Sequence, residues 1–337
     1  MTYVEKINAV LVPKSTCSYK VLDLFAGCGG LSLGFEAAGF ETVGYEMDVK
    51  AAESYNKNLL GTCFAQKLDL DTEYGDGFDV VIGGPPCQPF SVGGNQKGIE
   101  DERNGFPIFI KAVEKLQPRV FMFENVRGML YSNKWYLDEI TEVLRGLGYH
   151  INFKLFNAVN YGVPQNRERL IVVGHRSKFE FPKPQLHKVT VGDAIGELID
   201  TIVDEGKILT ASMDTYIANY EKASSCINPR DLYLHKPART LTCRNIAAAT
   251  GDMHRVKLKD GRRRRISVRE AARLQSFPDW FDFQGTETNQ YYQIGNAVPP
   301  LMAFQIAQSV KTCLEDPTVY ENIEFAGSSV GRQIELF

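Results

Sequence analysis

Residues 21–30 read VLDLFAGCGG, a short apolar run that breaks into a glycine-rich turn, and residues 31–38 continue with a helical pattern. A buried strand that passes through glycines into a helix is the opening unit of a nucleoside-binding α/β sheet, because glycine lets a ligand approach the backbone closely. The strict dinucleotide fingerprint is not met, since Ser32 stands where its last glycine belongs. Glu46 closes the next apolar run 19 residues after Gly27, where a carboxylate accepts hydrogen bonds from both ribose hydroxyls. Asp69, in KLDLD at the end of an expected third strand, is positioned to accept from an adenine amino group.

Outward from this unit, apolar runs recur at 43–45, 80–82, 120–123, 151–156 and 170–173, with amphipathic stretches such as 138–147 between them. The alternation predicts βα units in a doubly wound, mostly parallel sheet covered on both faces. After residue 183 the rhythm fades and the composition turns polar, then basic, so a domain change is expected near Pro184. Helical patterns return at 268–275 and 300–314.

A chain of 337 residues with 44% apolar content has room for one large domain and a smaller one. The first 20 residues have no leader-like apolar core, and no uncharged apolar run approaches spanning length. The expectation is a cytoplasmic protein with no membrane partner. Seven cysteines without a CxxC pair or a Cys/His cluster argue against a disulfide framework and against a metal site. Net charge is −3, yet residues 230–282 hold 13 Lys and Arg against 6 Asp and Glu, +7 locally beside −10 elsewhere. A basic patch on an acidic body points to a polyanionic partner.

The segment GGPPCQPFS, residues 83–91, puts Cys87 in a loop just after an apolar strand. Pro85 and Pro86 restrict the backbone before it, which presents a sulfur nucleophile on a held chain. Glu124 follows the strand VFMF, so both side chains fall on the strand-end rim that carries the glycine turn. Arg167 and Arg169, two apart in QNRERL, are expected to project to one side of an extended stretch.

Six of these segments together resemble the cytosine-C5 DNA methyltransferases of bacterial type. DLFAGCGGLSLGFEAAGF, GGPPCQPFS, FENVRGML, QNRERL, RRRRISVREAARLQSFPD and QIGNAVPP stand in that family's linear order over residues 20–310. The resemblance implies a Rossmann-like S-adenosylmethionine-binding catalytic domain at 1–183. It further implies a smaller target-recognition domain at 184–284 and a return segment at 285–337 that completes the first domain. Cofactor contacts are implied for Asp23, Phe25, Ala26, Gly27, Gly29, Gly30, Leu31, Glu46, Met47, Asp69, Pro86, Asn296 and Ala297. Asn296 would also help to hold the active-site loops. A local departure is DERNGFPIF, residues 101–109, where Phe106 and Pro107 stand in places that relatives usually fill with an aliphatic and then an aromatic residue.

The chemistry explains the residue types. Carbon 5 of cytosine is too electron-poor to take a methyl group until a nucleophile adds at carbon 6, and a thiolate both adds and leaves readily. Cys87 is that candidate, activated by loop amides or a nearby arginine. Glu124 would share a proton with ring nitrogen 3, while Arg169 and Arg167 would stabilise charge at the oxygen on carbon 2. The methyl donor S-adenosylmethionine would leave as S-adenosylhomocysteine, and no group in the sequence identifies the base that removes the proton from carbon 5.

Because the target ring is stacked inside a duplex, it has to be flipped out. Ser91 and Gln96 in SVGGNQKG, with Arg263 in the basic run, are the strand-clamping candidates. Arg239, Thr242 and Arg244 in PARTLTCRN are the candidates for reading bases, arginine being the usual reader of guanine. The expected partners are duplex DNA and a cognate restriction endonuclease acting on the same site, with the enzyme itself a monomer. The tRNA-methylating branch of the family carries a Cys-Phe-Thr tripeptide in its recognition region, which this chain lacks. A catalytically silent DNA-binding relative would not need Cys87, Glu124 and Arg169 together.

Overall fold

A computed structural model describes residues 1–86, 104–201, 204–223, 225, 230–247, 249 and 251–316. The strands are β1 (Lys20–Leu24), β2 (Glu41–Glu46), β3 (Thr62–Ala65), β4 (Val80–Gly83), β5 (Val120–Val126), β6 (His150–Asn157), β7 (Gln165–Asn166), β8 (Glu168–His175), β9 (Ala238–Arg239), β10 (Arg255–Lys257) and β11 (Arg263–Arg265). Seven of them form one sheet in the order β3-β2-β1-β4-β5-β8-β6. β1 to β5 run parallel, and β8 is antiparallel to both of its neighbours. This is the doubly wound, mostly parallel sheet expected from the alternating runs. The third strand differs, because β3 lies at Thr62–Ala65 and leaves KLDLD in the loop beyond it.

The pleat sorts the side chains of each strand. Val120 and Met122 enter one apolar core, while Phe121 and Phe123 enter the other. The second core is closed by α4 (Phe106–Leu116) and α5 (Lys134–Gly146), with Phe109 edge-on to Phe121 and Phe123. Phe106 is fully buried there against Phe123 and Tyr136, which accounts for an aromatic residue at this position. The first core receives α1 (Tyr3–Val10), α2 (Gly30–Ala37), α3 (Val49–Asn58) and the late helix α11 (Pro300–Glu315).

Between these come α6 (Val191–Ile195), α7 (Ala211–Ala223), α8 (Cys243–Ala247), α9 (Val268–Leu274) and α10 (Glu287–Asn296). Val191, Ile195, Leu241 and Val256 join the first core, whereas Leu209, Ile217 and Met253 form a separate small cluster under α7. The described part of 184–284 therefore leans on the sheet domain and carries only a minor core of its own. Helix α8 follows directly on Thr242. Asn245 supports its start by accepting from Thr242 N and donating to Thr240 O, a local side-chain cap. Among the described residues, no helix is long and apolar enough to cross a membrane, and no cluster of His, Cys, Asp and Glu could hold a metal ion.

Candidate active site

The strand ends of β1, β2, β4 and β5 open into a cleft of about 900 Å³. Its first wall is the turn that leaves β1. Phe25 adopts φ 63°, a left-handed conformation that costs an ordinary residue about 1–3 kcal/mol and is found where a site imposes it. Gly27 and Gly29 follow at φ 56° and 88°. Gly29 cannot carry a side chain, since a Cβ would stand 2.8 Å from the Tyr55 ring, and Gly30 is pressed against Val298 O at 2.6 Å from its would-be Cβ. Phe25, Ala26, Gly27, Gly30 and Leu31 line the cleft, while Gly29 serves it by shaping the turn.

Glu46, at the end of β2, is pinned at the floor of this wall. It accepts from Gly27 N and Asp48 N, both at 2.8 Å, and keeps lone pairs for further donors. Beside it Met47 is 69% exposed, an apolar surface facing the cleft without cover. Asp23 lies deeper. One of its oxygens accepts from Ser32 Oγ at 2.6 Å and the other has no partner among the described residues. Burial, opposed by the Ser32 hydroxyl and reinforced by Glu46, pushes the Asp23 carboxyl from 3.8 to about 7. Asp69 does not line the cleft. Its Oδ1 accepts from Asp71 N and from Thr72 Oγ1, and Gln66, Lys67 and Leu68 stand at the wall instead.

On the opposite side, β5 presents Glu124 and β8 presents Arg169, paired at 2.6 Å between Oε1 and Nε with each side chain under 15% exposed. Glu124 Oε2 stands 3.6 Å from the position a Cβ would take on Gly84, so the carboxylate borders the chain that leads to the proline stem. The stem itself is held at both carbonyls: Asn125 Nδ2 donates to Pro85 O, and Gly105 N donates to Pro86 O, each at 3.0 Å. Cys87, Ser91 and Gln96 lie outside the described residues.

Arg167 sits in the break between β7 and β8 and also borders the cleft, but it differs from Arg169 in what it touches. It is 1% exposed and donates to Leu241 O at 2.7 Å and to Gly295 O at 3.1 Å. Burial first, and Arg169 second, hold its guanidinium well below the ordinary arginine range. The return segment closes the cleft with Asn296 and Ala297, and Asn296 Oδ1 accepts from the Cys243 thiol at 3.0 Å. Three amides in this region, Asn125, Gln165 and Gln275, carry structural bonds that no charge or spacing signalled. In the sequence each stands inside a segment quoted above, FENVRGML, QNRERL and RRRRISVREAARLQSFPD, with nothing to mark it apart from its neighbours.

Much of the basic patch is paired with carboxylates of the protein, some of them from outside residues 230–282. Arg239 pairs with Asp252, Arg263 with Asp214, Arg262 with Asp260, and the buried Arg264 with Glu270 at 2.7 Å. Arg239 and Arg263 are thus paired with carboxylates of the protein. Arg244 is exposed, and its guanidinium has no partner among the described residues. It follows Thr242, which lines the cleft, and Cys243, which touches Asn296.

A family model described as C-5 cytosine-specific DNA methylase matches residues 19–312. The chain is 56% identical over 306 residues to the type II methyltransferase M.AplI of Arthrospira platensis, with 89% of each chain covered. It is 36% identical over 336 residues to the type II methyltransferase M.FnuDI of Fusobacterium nucleatum, covering 88% of this chain and 95% of the relative. Two solved structures share the fold at 17% identity: Dnmt2 methyltransferase of S. pombe, with a TM-score of 0.68, and EhMeth of Entamoeba histolytica, with 0.69. Each match covers 89% of this chain and 100% of the other. The chain belongs to the C-5 cytosine-specific DNA methylase family, and is by that membership a DNA (cytosine-5)-methyltransferase.

Proposed function

We propose that this enzyme methylates carbon 5 of a cytosine turned out of a specific duplex DNA sequence, with Cys87 adding to carbon 6 of the ring. The observation that carries the reading is the Glu124–Arg169 pair, which shares one cleft with the glycine turn and borders the proline stem that leads to Cys87. A carboxyl held by a guanidinium beside that stem is suited to hold a proton at ring nitrogen 3 while the arginine's remaining donors meet the oxygen on carbon 2.

S-adenosylmethionine supplies an electrophilic methyl group on a positively charged sulfur. The residues present suit such a donor: Glu46 retains acceptor capacity for ribose hydroxyls, Met47 offers an apolar face to a purine, and the turn from Phe25 to Gly30 leaves room at the backbone. The cleft's volume of about 900 Å³ lies toward the upper end of ligand sites, which run from roughly 300 to 1,000 Å³. Asn296 and Ala297 would complete the donor site from the return segment.

Residues 184–284 serve in this reading as the target-recognition region, with Arg244 as its foremost contact to DNA and Thr242 at the mouth of the cleft. The type II naming of the relatives supports a companion endonuclease at the same site. Nanopore or bisulfite sequencing of DNA from cells expressing the chain tests the whole reading. The expected result is 5-methylcytosine at one position of one recurring sequence. Unmodified DNA, or methylation confined to tRNA, would overturn it.

A further inference from the structure

The paired-arginine segment and the recognition segment are tied together at consecutive backbone groups. Ala238 N donates to Pro164 O at 2.9 Å, and β7 and β9 pair in parallel register, Gln165 with Ala238 and Asn166 with Arg239. Thr240 Oγ1 donates to Asn166 O at 2.6 Å. Leu241 is then gripped at both of its polar groups: its N–H donates to Gln165 Oε1 at 2.8 Å, and its carbonyl accepts from Arg167 at 2.7 Å. Gln165 and Arg167 are fully buried or nearly so, at 0% and 1% exposure.

The grip is anchored in turn. Gln165 Nε2 donates to Leu274 O and to Gln275 Oε1, and Gln275 Nε2 donates to Ala297 O at 2.6 Å. The second terminal nitrogen of Arg167 reaches Gly295 O. Gly295 has no room for a side chain, because a Cβ would stand 2.3 Å from Cys243 N. The recognition segment, the α9 terminus and the return segment thus meet on two side chains, both within four residues of Arg169.

We propose that Gln165 and Arg167 are positioning residues that couple target reading to the catalytic pair, so that a misread base displaces residues 238–242 and with them the strand carrying Arg169. Arg167 then differs in role from Arg169: its terminal donors hold carbonyls of the protein and leave charge stabilisation at the ring to Arg169. Buried amide and guanidinium bonds favour this, since a strained partner leaves a polar group unsatisfied and the cost is transmitted along the network. The proposal rests on the reading of 184–284 as the recognition region and of Glu124 and Arg169 as the catalytic pair.

The test uses the full-length enzyme, a pooled duplex library holding all short sequence contexts, and sequencing of methylated cytosines. Arg167→Lys, which reaches one carbonyl instead of two, and the surface-side variant Thr240→Val, which removes a single hydroxyl, are compared with wild type. Arg167→Lys is expected to lower the preference for the wild-type site over its single-base neighbours by roughly 10-fold, the scale of one charge-assisted hydrogen bond, and Thr240→Val by about 5-fold, the scale of a neutral one, while the maximal rate on the preferred site falls less. Gln165→Met, which removes both the acceptor for Leu241 and the donor to Leu274 O, should lose more fidelity than Thr240→Val. Unchanged fidelity in Thr240→Val and in every variant that folds, or loss of maximal rate alone, would overturn the coupling. A wild-type enzyme that methylates no recurring site would instead remove the functional reading beneath it.

Discussion

Glu124 and Arg169 are separated by 45 positions in sequence and by 2.6 Å in space, joined because β5 and β8 are antiparallel neighbours. Glu124→Gln keeps the shape and a hydrogen bond to Arg169 while removing the carboxyl proposed to hold the proton. Single-turnover methyl transfer should fall by about 10²–10⁴ with DNA affinity preserved, and an unchanged rate would exclude Glu124 from proton transfer. Asp23 makes a second prediction. Its carboxyl has a pKa raised from 3.8 to about 7, so the folded state holds the proton more tightly than the unfolded one. Stability from this group is therefore present in full below pH 3.8 and is lost as pH rises to about 7, by on the order of 4 kcal/mol. Asp23→Asn should abolish that part of the pH dependence, so its advantage over wild type in denaturant melts widens between pH 4 and 8; parallel curves would contradict the assignment. Charged and nucleophilic residues were legible in the sequence because their chemistry is intrinsic. Asn125, Gln165 and Gln275 were not, because a neutral amide acquires meaning only from carbonyls that the fold brings to it, Pro85 O and Ala297 O among them.

At the level of elements, the close approach of α2 to α11 shapes the glycine-turn wall. A Cβ on Gly34 would meet Ala303 Cβ and Phe304 N at 2.5 Å, so the two helices touch backbone to backbone. Gly34→Ala should cost about 1–3 kcal/mol through overpacking despite the better helix propensity of alanine, read as a lower midpoint in urea. A raised midpoint would mean that the helices have slack. The strands of the main sheet were legible because buried strands read as apolar runs, and the five runs beyond β1 became β2, β4, β5, β6 and β8 with only their ends moved. β3 escaped because Thr62–Ala65 buries a single side chain, Cys63, at the sheet edge. Helix α8 escaped because five residues held by the Asn245 cap leave no period to detect.

For the molecule as a whole, charge was the least legible feature. The +7 counted over 230–282 omits Asp200, Asp214 and Glu221, which fold back to pair with Lys259, Arg263 and Arg255. Long-range neutralisation of this kind is invisible to a local count. Two arginines should consequently behave in opposite ways. Arg244→Ala should weaken DNA binding similarly across sequences if it meets phosphate, and reduce the salt slope of the binding constant by about 1, measured by anisotropy over a salt series. Arg264→Ala strands the buried Glu270 and should cost about 3–5 kcal/mol of stability in a denaturant melt. Equal effects of the two on DNA affinity with no change in stability would refute this division. The proposed covalent step is tested most directly with duplex DNA carrying 5-fluorocytosine at the methylated position, because fluorine cannot leave as the proton does. The expected product is a denaturation-resistant protein–DNA complex linked through Cys87 and lost in Cys87→Ser; a complex that persists in that variant, or full inhibition-free turnover without any complex, would contradict the mechanism.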